Sequence, residues 1–538
     1  MNPSYGDVFD AVARAVNPAD PAIYCDDQVV TWGEFDRASN ALARALRSAG
    51  LEAGAKVAQY MRNSPEYLVA FAAAFKARLA PVNVNYRYGP DELFYLFDNC
   101  DAEAVVFDVE FAEIVRGLTG RLPKVKVWVS VGGPDLDLLG PGFASIEDLS
   151  SGDGAPLGLE RSADDMLLLY TGGTTGLPKG VMWPSGTWWE VLAAGRAPVL
   201  GQEPPNTLEA LQAQIRAGLG REPVYIATPL MHGTGMFTGV GAMTKAAPAV
   251  LTRKASFDPG AALDAVTRLR CGGFVIVGDA FARPLLDALR AEPSRYDVAC
   301  LKTMTSSGMM WSPEVKTGLL DFMPDAMLFD SFGSSEATGL GVSITSRDNP
   351  AAEAKFEAPQ TIVVREADFT PVTPGSGEIG LVAKHGNLPL GYYKDPEKTA
   401  RTYVTINGER HLISGDHATV EADGTIRLLG RGNHCINSGG EKIYPEEVEE
   451  ALKTHPAVHD ALVFGIADPR FGQAVSAVVG LVQGAAASDA ELIEHVRGKL
   501  AAYKAPRRIA FAAKAPRAPN GKADYAAARA VFAEVYPG

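Results

Sequence analysis

Tyr170-Thr171-Gly172-Gly173-Thr174-Thr175-Gly176-Leu177-Pro178-Lys179-Gly180 follows the apolar run Met166-Leu167-Leu168-Leu169. A short apolar run that ends in turn residues reads as a buried strand opening into a loop. Gly172, Gly173 and Gly176 carry no side chains, so backbone N–H groups can wrap an anion. Thr171, Thr174 and Thr175 add hydroxyl donors, and Lys179 adds a cation. This donor set suits a triphosphate. It is not a Walker A loop, because Leu177-Pro178 separates Gly176 from Lys179 and Gly180 stands where Ser or Thr would follow. A Gly/Thr-rich turn alone is more often a plain surface turn; the ordered pattern is what favours a nucleotide.

Outward from this loop, helical and strand signals alternate. Amphipathic runs at 35–46 and 261–269 lie among short apolar segments at 56–61, 104–108, 166–170, 224–230, 274–277 and 327–332. Such segments between helices are the mark of parallel strands covered on both faces. From about residue 361 the pattern turns to hairpins, with turns expected at Asn407-Gly408 and Asp423-Gly424. After Gly430-Arg431 it resets: a polar, Gly-rich stretch (432–440) leads to a helix starting near Pro445. Strands follow over 458–482, then a helix over 489–500 and an Ala-rich tail helix over 523–533. This divides the chain into domains 1–432 and 433–538.

A chain of 538 residues is too long for one ordinary core, in keeping with that division. The formal charge of −14 argues against a nucleic-acid partner, which requires a basic face. Five scattered cysteines with no CxxC fit free thiols in the cytoplasm. No signal peptide and no membrane span is read. Monomer or homodimer stays open.

Several motifs then fall into the order of one family. The chain resembles the adenylate-forming superfamily of acyl-CoA synthetases, luciferases and peptide-synthetase adenylation domains. The resemblance runs nearly end to end, through the Gly/Thr loop, Pro229-Leu-Met-His232-Gly-Thr-Gly-Met-Phe237, Asp330-Ser-Phe-Gly-Ser-Ser-Glu336, Ser414-Gly-Asp416, Gly430-Arg431, Asn437-Ser-Gly-Gly-Glu-Lys-Ile-Tyr-Pro445 and Pro519-Asn-Gly-Lys522. It implies an α/β and α+β fold, with a large N-terminal domain of layered sheets and helices that includes a barrel-like part. A small mobile C-terminal α+β domain would rotate over it between two half-reactions. The activity implied is ATP-dependent acyl-CoA synthesis through acyl-AMP, with ATP, Mg²⁺ and coenzyme A as the small molecules.

By the same resemblance, Lys522, His232 and Glu336 are the catalytic candidates, Glu336 also as the Mg²⁺ ligand, since a hard cation wants oxygen donors. ATP would meet Thr171, Gly172, Gly173, Thr174, Thr175, Gly176, Lys179, Ser307, Gly308, Met309, Asp330, Ser331, Phe332, Gly333, Ser334, Ser335, Asp416, Arg431 and Lys522. Within this set Phe332 would stack on adenine, and Asp416 with Arg431 would clamp the ribose. Ser438, Gly439 and Gly440 would leave room for the pantetheine arm of CoA. His232, Gly233, Met236, Phe237, Gly278 and Met310 would line the acyl pocket, and Asn433 would be the hinge. Taken singly, His232 would be a structural histidine, Glu336 a helix-start carboxylate and Lys522 a solvated tail lysine.

The chain departs from the family at several points. Gly172 replaces a Ser or Thr, Phe332 a Tyr, and Ser335 a Thr. Met309-Met310 replaces smaller residues, Asn433 a charged hinge residue, and His434-Cys435 falls where an acid is common. With Val277-Gly-Asp-Ala280 and the stretch Ala80 to Arg87, these features resemble a bacterial subgroup acting on fatty acids or steroid side-chain acids. Met231-His232-Gly233 offers no carboxylate for a substrate amine, which speaks against amino acids. The rival readings are a ligase that hands acyl-AMP to a carrier protein, a non-catalytic acyl-adenylate-binding module, and a luciferase-like oxygenase.

Overall fold

The computed structural model describes residues 2–133, 143–173, 176–194, 203–254, 256–308, 311–350, 355–431, 436–438, 441–468, 472–500, 502–518 and 521–537. The segments read as buried strands are strands. Lys56–Tyr60, Ala80–Asn83, Ala102–Asp108, Val127–Val131, Phe143–Ser145 and Met166–Gly173 run parallel in a seven-stranded sheet. Gly176–Pro184 returns antiparallel along its last parallel strand.

A second, eight-stranded sheet has the same plan. Pro21–Cys25, Ala249–Leu251, Val224–Ile226, Gly273–Ile276, Thr303–Ser307 and Met327–Ser334 are parallel, and Ala337–Thr345 and Gln28–Thr31 close its edges antiparallel. Ala80–Asn83 and Gly273–Ile276 are buried at every residue, as strands covered on both faces must be, and the polar Asn83 has its amide fully hydrogen-bonded.

The two sheets share one core. Helix Pro65–Lys76 is buried at every position but Glu66, and it packs on Lys56–Tyr60 and Ala80–Asn83 of one sheet and on Pro21–Cys25 of the other. A helix apolar nearly all round belongs inside. At its C-terminal end Lys76 is fully buried, with Nζ 2.6 Å from Asp36 and 3.5 Å from Asp10 on two neighbouring helices.

The hairpin region forms a six-stranded antiparallel sheet, the barrel-like part. Lys355–Phe356, Ile426–Arg431, Glu409–Val420, Gly380–Lys384 and Thr361–Val364 lie in that order, with Tyr403–Ile406 beside Glu409–Val420. Asn407 and Gly408 both take positive φ (51° and 84°) between paired Ile406 and Glu409, as a two-residue turn matching the strand twist requires. Asp423-Gly424 lies in the longer connection from Val420 to Ile426, where Asp423 accepts from Thr425.

The C-terminal part has its own five-stranded sheet. Helices Pro445–Lys453 and Asp489–Arg497 pack on one set of its side chains, and the tail helix Tyr525–Val535 packs on Leu462, Phe464 and Val478. One expectation is corrected here. The stretch read as a polar loop contains a short hairpin, Ile436–Ser438 paired with Glu441–Ile443. Ile436 and Ile443, opposite each other, are both buried in the small domain's core, and two apolar residues that close in sequence left too weak a period to read. Among the described residues no helix is long and apolar enough to cross a membrane.

Replacing Lys76 with Met leaves the partly buried carboxylate of Asp36 without its cation, while Asp10 keeps Arg161 at 2.8 Å. The expected loss is about 2–3 kcal/mol of stability, read as a lower urea midpoint with unchanged slope.

Candidate active site

The motif residues converge because of where their strands end. Both Met166–Gly173 and Met327–Ser334 are the last parallel strands of their sheets, and each turns back at its carboxyl end. Those turns carry the Gly/Thr loop and the segment from Phe332 to Glu336. Ser307-Gly308 ends Thr303–Ser307, Gly278 follows Gly273–Ile276, and His232 follows Val224–Ile226, all in the same sheet. The carboxyl ends of parallel strands are where α/β sheets bind ligands.

Side chains far apart in sequence hold these turns together. Asn83 Nδ2 donates to the carbonyls of Tyr170 (2.9 Å) and Met231 (2.6 Å), and its Oδ1 accepts from Tyr170 N–H (2.6 Å). Asn63 donates to Thr228 O (3.0 Å) and accepts from Leu230 N–H (2.7 Å), while Tyr67 donates to Leu230 O (3.2 Å). The loop before His232 is thus pinned to the first sheet. Trp183 Nε1 donates to Ser335 O (2.9 Å), tying the phosphate hairpin to the adenine motif. Gly180 packs so tightly on Tyr170 that an added Cβ would lie 2.5 Å from its ring.

Glu336 is half-buried, and its Oε1 accepts from Tyr392 Oη (2.7 Å). Tyr392 belongs to a segment that the motif reading missed. Leu390 N–H donates to Met182 O, Met182 N–H to Gly391 O, and Tyr393 N–H to Gly180 O, at 2.8–2.9 Å. This lays residues 390–393 along the strand that leaves the phosphate loop and brings Asp395 into an ion pair with Lys179. The single sequence signal was the Pro396 helix start, which says nothing about a site.

His232 caps helix Gly233–Met243 without a side-chain cap bond, and among the described residues its buried Nε2 has no hydrogen-bond partner. Burial, then the nearby cations Lys522 and Arg87, push its pKa down to about 3, so the ring is neutral. Lys522, of the small domain, is thus near enough for its charge to act on His232. Gly521, at φ +82°, sits where a Cβ would lie 3.1 Å from Ala280 and 3.5 Å from Phe281, directly after Gly278. Asp416 is buried and stands opposite Arg431 across the ladder of the six-stranded sheet.

Other candidates stand elsewhere. Asp330 is buried and ion-paired with Lys316 of helix Pro313–Phe322, and burial raises its pKa against that pull. Met236 is buried in the core shared by the sheets, and Phe237 packs on Trp183 and Trp188. Phe332 contacts Phe356 at 5.6 Å between ring centres and remains partly exposed. Ser438 is built into the small domain's sheet opposite Gly472. Thr174, Thr175, Met309, Met310, Asn433, Gly439 and Gly440 lie outside the described residues.

Residues 9–393 match the AMP-binding enzyme family, and residues 447–522 match the AMP-binding enzyme C-terminal domain. The chain is 39% identical over 528 residues to the 3-oxocholest-4-en-26-oate–CoA ligase of Rhodococcus rhodochrous, covering 96% of this chain and 94% of that one. It is 41% identical over 537 residues to the medium/long-chain-fatty-acid–CoA/3-oxocholest-4-en-26-oate–CoA ligase of Mycobacterium marinum, covering 96% and 95%. ATP-bound MatB from Rhodopseudomonas palustris superposes with a TM-score of 0.82 over 100% of both chains at 23% identity, a likeness of fold. The chain belongs to the AMP-binding enzyme family. It is an ATP-dependent acyl-CoA synthetase, an AMP-forming acid–thiol ligase.

The depressed His232 pKa carries a pH signature. Below its unfolded value of 6.5 the unfolded chain takes up a proton that the folded one refuses until about pH 3. Stability is therefore lost as pH falls through that window, and His232 has no such effect above it. His232→Gln should narrow the drop in melting temperature between about pH 7.5 and about pH 5. An equal drop in both proteins would show that His232 titrates normally.

Proposed function

We propose that the acid activated is a medium- or long-chain fatty acid or a steroid side-chain acid, and that Lys522, His232, Glu336 and the Gly/Thr hairpin carry its adenylation. The observation that supports this reading is that Lys522, from the C-terminal domain, lies near enough to His232 for its charge to act on the ring, while its neighbour Gly521 lies against Ala280 and Phe281. The choice of acid rests on the relatives, whose names specify such substrates, and on the lack of an acid in Met231-His232-Gly233 that could pair with a substrate amine.

In the first half-reaction a carboxylate oxygen attacks the α-phosphorus of ATP, the bond to the bridging oxygen breaks, and pyrophosphate leaves. Both reactants are anions, so a cation touching both stabilises the transition state. Lys522 takes that role. Neutral His232 offers a ring nitrogen to the carboxylate without adding charge. In the second half-reaction the thiol sulfur of CoA attacks the acyl carbonyl and AMP leaves. Lys522 then gives way to the hairpin at Ser438–Gly440 as the small domain turns about Asn433, at the boundary between 1–432 and 433–538.

Mg²⁺ fits the donor set. Among the described residues no cluster of three or more His, Cys, Asp or Glu could hold a metal. A single anchored carboxylate is what Mg²⁺ uses when phosphates and water complete its shell. Glu336, oriented by Tyr392, would be that ligand, and the ion would neutralise charge on the phosphates. The described cysteines are free thiols, which supports a reducing, cytoplasmic setting.

Lys522→Ala should lower ATP–pyrophosphate exchange by about 10²–10³-fold while sparing thioester formation from supplied acyl-AMP and CoA. Comparable losses in both would sink the two-orientation reading. Pyrophosphate exchange with a series of acids tests the substrate, and amino acids activated as well as fatty acids would overturn it.

Glu336→Gln should shift the Mg²⁺ titration of the exchange reaction to higher concentration, because an amide is a poorer ligand for a hard cation. An unchanged titration removes Glu336 from the metal site.

A further inference from the structure

The phosphate loop's own lysine has its charge matched before any nucleotide arrives: Lys179 is ion-paired with Asp395. The segment that brings Asp395 there also brings a second lysine. Lys398 N–H donates to Asp395 Oδ1 (2.9 Å), and Thr399 Oγ1 accepts from Tyr392 N–H (2.9 Å) and donates to Asp395 O (2.8 Å). Gly391, at φ +143°, lies so close to Thr399 that an added Cβ would sit 2.3 Å away, so the turn is tightly built.

The Lys398 ammonium lies 4.3 Å from the centre of the Tyr392 ring, whose hydroxyl holds Glu336. Its charged neighbours are Glu336, Lys179, Asp395 and Arg401. It is half-buried and, among the described residues, its Nζ has no hydrogen-bond partner. A triphosphate seated on the Gly/Thr hairpin would therefore find Lys179 neutralised and Lys398 with its donors free.

We propose that Lys398 is a phosphate-binding residue of this site, holding the β- and γ-phosphates of ATP and the pyrophosphate that leaves. The inference rests on the adenylation reading above. As the bond between the α-phosphorus and the bridging oxygen breaks, its electron pair stays with pyrophosphate. A fixed cation on that side steadies the growing charge, while Lys522 serves the attacking side. The Tyr392 face orients the ammonium through a cation–π contact.

Equilibrium binding of ATP and of AMP to the full-length protein separates this role from a structural one, since AMP lacks the phosphates in question. Lys398→Met should weaken ATP binding about tenfold and leave AMP binding within about twofold. Lys398→Arg should recover most of the ATP affinity, because a guanidinium also donates to phosphate. AMP affinity doubles as the check that each variant is folded. Equal weakening of ATP and AMP, or no change in either, overturns the proposal. Failure of the unaltered protein to bind ATP would instead overturn the adenylation reading and leave no question about Lys398.

Discussion

Two anions must meet. A carboxylate and a triphosphate repel each other, and a protein that joins them has to supply positive charge on both sides of the reacting phosphorus without locking it in place. In the site proposed here that charge would come from separate segments, Lys398 after residues 390–393 and Lys522 from the other domain, while Lys179 on the phosphate hairpin is already matched by Asp395. Each would be costly if buried alone. Asp395 matches Lys179, the Tyr392 ring supports Lys398, and Lys522 is exposed. His232 must stay neutral in such company, and burial together with Lys522 and Arg87 keeps it so.

Much of the fold was legible because it rests on local signals. Parallel strands buried on both faces are mostly apolar, so their runs stood out, and their carboxyl ends were where the motifs lay. Turns that need positive φ declared themselves at Asn407-Gly408. The Gly/Thr loop was legible for a similar reason: a backbone that wraps an anion excludes side chains.

What stayed hidden depends on partners distant in sequence. Asn63 and Asn83 are ordinary polar residues until their amides are seen bridging backbone from residues 170 and 228–231. Tyr392 and Lys398 acquire meaning only because residues 390–393 pair with the strand after the phosphate loop. Asp330 is a like case: a carboxylate at a buried strand position needs a cation, and Lys316, on helix Pro313–Phe322, supplies it.

The meeting of Lys522 with His232 also explains how the two halves can later part. No hydrophobic cluster of the described residues includes side chains from both halves: the small domain's clusters begin at Ile436, and the others end at Ile426. What crosses instead is the close approach of Gly521 to Ala280 and Phe281, that of Gly430 to Glu446, and charge interactions such as Lys453 with Asp279. Contacts of this kind can be exchanged for water or for other polar partners, whereas a shared apolar core could not be opened without losing its burial energy. The exchange of Lys522 for another surface proposed above would need such an interface, specific enough to place the lysine and polar enough to release it.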